Sequence, residues 1–156
     1  MVAADIPACV AVLRGHGPGH DVDEWLARFQ RDVDSSEKHP VVAALAGAIV
    51  GYARTMPFEV EPGWPANVAP AGYYLLGLVV DLQHRRRGIG TLLTTERLRW
   101  LQGRAVEVWY YTHRTNTASQ HMHEQLGFAR VTDDFWFPGM GDDHGEVLYR
   151  LPLSPA

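Results

Sequence analysis

The chain of 156 residues is 46% hydrophobic and 21% charged with a formal net charge of −4, which suits one domain (1–156) with its own core and lacks the basic face that non-specific nucleic-acid binding needs. The single cysteine, Cys9, excludes an internal disulfide, so folding asks nothing of an oxidising compartment. No run approaches a membrane span, and the opening "MVAADIPACVAVL" carries Asp5 and Pro7 without the basic stretch of a secretory signal, so a cytoplasmic protein is expected.

"MVAADIPACVAVL" reads as an apolar helix containing Cys9, which fits a core position better than a nucleophile. "RGHGPGHD" (14–21) breaks it, because three glycines and a proline forbid regular structure. Asp21 and Glu24 have capping-box spacing, and Val22, Trp25, Leu26, Phe29 and Val33 share one face, predicting a helix over 22–33. "HPVVAALAGAIVGYARTMPFE" gives two apolar runs hinged at Ala46-Gly47, a hairpin. Residues 59–72, "EVEPGWPANVAPAG", form a loop longer than a connector needs, holding Glu59, Glu61 and Trp64.

"YYLLGLVV" (73–80) is apolar on both faces, as in a strand inside a sheet. Ile89, Leu92, Leu93, Trp100 and Leu101 repeat with helical spacing until Gly103, and "VEVWYYT" (106–112) is another strand. Strand, helix and strand make a right-handed crossover between parallel strands. Asn116 opens a further helix as its N-cap and Gly127 closes it. "FARVTDDFWF" and "EVLYRLPL" are the last strands, joined by "PGMGDDHG". The order is helix, helix, hairpin, strand, helix, strand, helix, hairpin: an α/β (α+β) domain with a mixed sheet.

Chemistry concentrates in "VVDLQHRRRGIGTLL" (79–93). A strand ending near Asp81 and a helix starting near Gly88 leave a turn whose first N–H groups are unpaired and carry partial positive charge. Gly88 and Gly90 let an anion approach the main chain, and Arg85, Arg86 and Arg87 add forked donors suited to phosphate. The alternative is a solvated turn. The P-loop sequence is absent, and Leu93 replaces the third glycine of a dinucleotide fingerprint.

Arg85-x-x-Gly88-x-Gly90 after an apolar strand resembles the [QR]-x-x-G-x-[GA] signature of the GNAT superfamily, the acetyl-CoA-dependent N-acetyltransferases. "TNTASQHMHEQLGF" (115–128) is similar to the later family helix Asn-x-x-Ala-x-x-Leu-Tyr-x-x-x-Gly-Phe, with Asn116, Gly127 and Phe128 in agreement. The resemblance implies a central, mostly antiparallel sheet with one splayed parallel strand pair, flanked by helices. It implies that main-chain N–H groups from Arg86 through Gly88, Ile89 and Gly90 to Thr91 grip the pyrophosphate of coenzyme A. Main-chain groups of Leu78, Val79 and Val80 would receive the pantetheine arm, and an N–H near Val79 or Val80 would hold the thioester oxygen. Asn116 and Ser119 join the cofactor-binding set, with Asn116 serving also as a cap.

Two departures accompany the resemblance. The family usually opens with a strand, whereas "MVAADIPACV" resembles the family's first helix with little before it; either the edge strand is missing or very short, or the true start lies upstream of Met1. His123 stands where the family commonly has the tyrosine assigned as the acid for the departing thiolate. Asn116, Ser119 and His123 lie at i, i+3 and i+7 on one helix face. His123 is either that acid, with a neighbour keeping it protonated, or a donor of a neutral N–H to the sulfur, or a packing substitution.

Glu59 and Glu61 are the carboxylates placed to lead a proton from the acceptor amine, or else solvated loop residues. Trp64, Tyr73 and Trp136 are candidate acceptor contacts, although Phe135, Trp136 and Phe137 read equally as strand core. Acidic loop residues (Glu59, Glu61, Asp133, Asp134, Asp142, Asp143) favour a cationic acceptor. His121 and His123, or His16 and His20, lack further ligands at recognisable spacing, so no metal is expected. The implied activity is acetyl transfer from acetyl-CoA to a small-molecule amine. Protein acetylation and a non-catalytic acetyl-CoA-binding module remain open. The family often forms homodimers, although no helix here has an apolar face left over.

Overall fold

The computed structural model describes residues 1–17, 19, 21–140 and 145–153. After a 3-10 turn at Ala3–Asp5, the elements are α1 (Ile6–Arg14), α2 (Val22–Val33), β1 (Val41–Leu45), β2 (Ala48–Phe58), β3 (Gly72–Val80), a 3-10 turn at Leu82–His84, α3 (Ile89–Leu101), β4 (Glu107–His113), α4 (Thr117–Gln125), β5 (Ala129–Thr132) and β6 (Glu146–Pro152). The strands form one sheet in the order β1-β2-β3-β4-β6-β5. The expected element order and the mixed sheet are both present, and the parallel pair is β3 with β4. In chain order the first strand among the described residues is β1, and no described helix is long and apolar enough to cross a membrane.

By internal packing the chain divides into two compact units, Met1–Met56 with Leu75–Trp100, and Pro57–Tyr74 with Leu101–Ala156. In the first, β2 separates two clusters because alternate residues point to opposite sheet faces. Tyr52 packs with Ile6, Cys9, Val10, Leu13 and Phe29 of α1 and α2, while Ala53 packs with Val41 and with Leu93 of α3. The β1–β2 hairpin turns at Ala46 and Gly47, both at positive φ (49° and 83°), a conformation that suits Gly47. Asp21 caps α2 by accepting from the N–H of Glu24 at 3.0 Å, as the capping-box spacing predicts.

Three charged residues, Asp32, Arg54 and Arg97, are buried in this unit. Asp32 of α2 accepts from Arg54 Nε and, at 3.1 Å, from Lys38 Nζ. Arg97 of α3 is fully buried and donates to the carbonyl of Arg54 (3.1 Å), to Thr94 Oγ1 (2.9 Å) and to the carbonyl of Leu93 (3.4 Å). Burial pulls its pKa down to about 9, and these three acceptors hold a group that remains charged at neutral pH.

In the second unit β4 pairs with β6 along seven antiparallel positions, from Glu107↔Pro152 to His113↔Glu146. The β3–β4 ladder registers only Tyr73↔Val108 and Tyr74↔Trp109. Gly127 follows α4 at φ 95°, the left-handed stop expected of it. One expectation is corrected. The strand read across 128–137 ends at Thr132, because the Thr132 hydroxyl captures the N–H of Asp134 at 3.0 Å and Arg130 pairs with Asp133 at 2.8 Å. Side-chain bonds of this kind compete with a sheet ladder. Phe135 and Phe137 then turn into the core, both buried, and Trp136 bridges in parallel to Val68.

Candidate functional site

The junction between β3 and α3 is built from the strand end outward. Gly77 lies within β3 at φ 58°, a left-handed conformation that marks a local irregularity in a strand. Leu78, Val79 and Val80 follow, half-buried. Asp81 donates its N–H to Val50 O at 2.9 Å, while its carboxylate accepts from the N–H of Gln83 (2.8 Å) and from His84 Nδ1 (3.1 Å). The His84 bond, followed by the Gln83 bond, holds the Asp81 carboxyl below the usual carboxylate range, so the cap on the 3-10 turn is charged at neutral pH.

Arg85 is extended, Arg86 lies at φ 62° and Gly88 at φ 77°. A left-handed conformation at an arginine costs about 1–2 kcal/mol, and such strain gathers at functional turns. Helix α3 then opens with Leu92 N–H bonded to Gly88 O at 3.0 Å, which leaves the N–H groups of its first turn outside the helical ladder. Nothing lies within 4 Å of the place a Gly88 Cβ would occupy, so that side of the turn is open. Arg85, Arg86, Arg87, Gly88 and Thr91 are exposed; Ile89 and Gly90 are half-buried. The three arginines do not act as one fork. Arg85 reaches His16, with Nη2 at 3.1 Å from Nδ1, whereas Arg87 lines a groove of about 560 Å³ with β1, Ile89 and Leu92.

In the second unit, Asn116 caps α4. Its Oδ1 accepts from the N–H of Ser119 at 3.3 Å and its Nδ2 donates to Thr112 Oγ1 at 3.1 Å. Ser119 and His123 meet as the helical spacing implies, with Ser119 Oγ 3.5 Å from His123 Nδ1. His123 is only 2% exposed. Its ring stacks on Tyr110 at 3.6 Å and 10°, and meets the edge of Phe128 at 5.1 Å. Nδ1 lies 2.9 Å from the carbonyl of Ser119, which can only accept, so Nδ1 carries a hydrogen. In a neutral ring Nε2 is then an acceptor, not a donor.

The long loop and the 134–137 segment are tied together. Ala69 N–H donates to Trp136 O at 2.8 Å, Trp136 N–H to Asn67 O at 2.9 Å, and Asn67 Nδ2 to Asp134 Oδ1 at 2.8 Å. This brings Trp64 and Trp136 edge to face at 5.4 Å, with Phe58 stacked on Trp64 at 5.6 Å. Both indoles are half-buried, as is Tyr73, while Glu59, Glu61, Asp133 and Asp134 are exposed. His20, Asp142 and Asp143 lie outside the described residues. The sequence reading missed His16, which it weighed only as a metal ligand, and Gly77, whose place inside an apolar strand was the available signal.

Residues 9–128 match the acetyltransferase (GNAT) family. The chain therefore belongs to that family. Among curated relatives it is 29% identical to the mycothiol acetyltransferase of Thermobispora bispora, over 88% of this chain and 52% of that one. It is 35% identical to the N-alpha-acetyltransferase RimI of Mycobacterium tuberculosis, over 70% of this chain and 64% of that one. The chain thus spans about half to two thirds of the length of these relatives. Among solved structures the fold is shared with AAC(6')-Iy in complex with the bisubstrate analog CoA-S-monomethyl-acetylneamine, at TM-score 0.74 and 22% identity over 90% of this chain and 95% of that one. It is shared also with the ribosomal-protein-S18-alanine N-acetyltransferase of Escherichia coli, at TM-score 0.72 and 19% identity over 100% and 92%.

Proposed function

We propose that this protein is a cytoplasmic N-acetyltransferase that moves the acetyl group of acetyl-CoA directly to a primary amine. The observation that carries the reading is the strained, open turn from Arg86 to Gly88 at the start of α3, in a chain whose residues 9–128 match the family. The main-chain N–H groups of residues 86–91 bind the pyrophosphate, with Arg85, Arg86 and Arg87 adding charge. Leu78, Val79 and Val80 receive the pantetheine arm, and a main-chain N–H there stabilises the thioester oxygen as charge develops. The attacking amine first loses a proton, led away through water by Glu59 or Glu61; the amine nitrogen then bonds to the acetyl carbon and the thiolate of CoA leaves.

The acceptor is a small cationic amine. The Trp64–Trp136 pair, beside exposed Glu59, Glu61, Asp133 and Asp134, supports an aromatic contact with acidic surroundings. Burial and stacking of His123 favour a packing role over the acid role, while Asn116 and Ser119 shape the start of α4. A second reading, transfer to a protein N-terminus, is favoured by the 35% identity to RimI. Thiol release from acetyl-CoA, measured with a panel of small polyamines and aminosugars against peptides with a free N-terminal alanine, separates the two. Turnover with the small amines alone supports the first; turnover confined to peptides replaces it with the second.

A further inference from the structure

His16 stands in the turn that ends α1, its backbone fixed by N–H bonds from His16 to Leu13 O (2.9 Å) and from Gly17 to Arg14 O (3.2 Å). Its ring spans to the anion turn by both nitrogens. Nε2 lies 3.0 Å from the carbonyl of Val80, and Nδ1 lies 3.1 Å from Nη2 of Arg85. A carbonyl can only accept and a guanidinium can only donate, so the two partners fix one tautomer: Nε2–H donates to Val80, and the Nδ1 lone pair receives Arg85. A single half-buried side chain thereby joins the end of α1, the last residue of β3 and the first arginine of the turn.

We propose that His16 is a positioning residue for the cofactor, acting through Arg85, a role that rests on reading the turn as the pyrophosphate site. An exposed arginine loses much rotamer freedom when it clasps a phosphate. Held at one Nη by a ring that is itself anchored at Val80, Arg85 gives up part of that freedom before the cofactor arrives, and its remaining donors stay available to the anion. The same bond keeps the Val80 carbonyl and the end of α1 in register with the turn. Asp81, next to Val80 in the chain, is hydrogen-bonded to His84.

The test is calorimetric titration of acetyl-CoA into the wild-type protein, His16→Ala, His16→Gln, Arg85→Ala and the His16→Ala/Arg85→Ala double variant, with melting temperatures for each. Without the ring, the cofactor must order Arg85 itself, so His16→Ala is expected to bind about fivefold more weakly, and loss of the bond to Val80 is expected to lower its melting temperature slightly. The double variant is expected to bind no worse than Arg85→Ala alone, since His16 acts through that arginine. His16→Gln, with one amide donor and one acceptor, is expected to recover most of the affinity. Wild-type affinity in His16→Ala, multiplying losses in the double variant, or failure of glutamine to rescue would each overturn the proposal. Absence of binding by the wild-type protein would overturn the cofactor reading itself, so the two failures are distinguishable.

Discussion

A Cβ placed on Gly51 would stand 3.0 Å from the carbonyl oxygen of Val79, and within 3.5 Å of Leu93 and Ile89 side-chain atoms. At this point β2 is pressed at once against the strand that leads into the Arg85–Gly90 turn and the helix that follows it. Gly51→Ala forces the Val79 backbone or α3 outward, and overpacking of this kind costs about 1–3 kcal/mol. The variant is expected to melt lower and to bind acetyl-CoA more weakly. Unchanged affinity would show that the turn tolerates displacement of its base.

Asp32 is the shared anion of Arg54 and Lys38. Its removal strands the buried Arg54 charge, at a cost of about 3–5 kcal/mol, whereas Arg54→Ala leaves Asp32 still paired with Lys38. Chemical denaturation is therefore expected to rank Asp32→Ala as the less stable of the two. The reverse order would mean that Arg54 stabilises mainly through its contacts beyond the carboxylate.

His123 offers a clean separation of packing from catalysis. His123→Phe keeps the stack on Tyr110 and removes both nitrogens; His123→Ala removes the ring and leaves a cavity costing about 3 kcal/mol. A packing residue predicts near wild-type turnover in His123→Phe and a lowered melting temperature in His123→Ala. Turnover abolished in His123→Phe at an unchanged melting temperature would restore the acid role.

Burial, with a smaller contribution from Asp5, pushes the Cys9 thiol up to about 12 from 9.0. Above pH 9 the unfolded chain gives up this proton while the native protein keeps it, so the contribution of Cys9 to stability falls as pH rises toward 12. Burial raises the Tyr52 phenol in the same cluster too. The melting temperature is expected to drop on going from pH 8 to pH 10.5. In the folded protein at pH 8, a disulfide reagent is expected to find almost no thiol, which leaves thiol-release assays without background. Fast labelling of the native protein would contradict the burial of Cys9.

The elements were legible where a signal is local. Asn116 caps its helix by a bond three residues away, Ala46-Gly47 turns a hairpin on its own backbone, and the glycines and arginines of 85–90 sit together in the chain. What was not legible depends on distant partners. "FWF" at 135–137 has the composition of a strand, yet Trp136 takes its backbone partners from Asn67 and Ala69, more than sixty residues earlier. The role of His16 required knowing that the end of α1 lies beside Val80, which no periodicity reveals. The left-handed backbone at Gly77 was hidden by an otherwise continuous apolar run.

Whether the main-chain N–H groups from Arg86 to Thr91 receive the pyrophosphate of coenzyme A, as proposed, is decided by isothermal titration of the purified protein with acetyl-CoA and then with CoA, alongside Gly90→Trp. One saturable site for both ligands is expected in the wild-type protein, with its loss in a Gly90→Trp variant that still melts cooperatively. No saturable binding up to about 1 mM, or equal binding in the folded tryptophan variant, would contradict it.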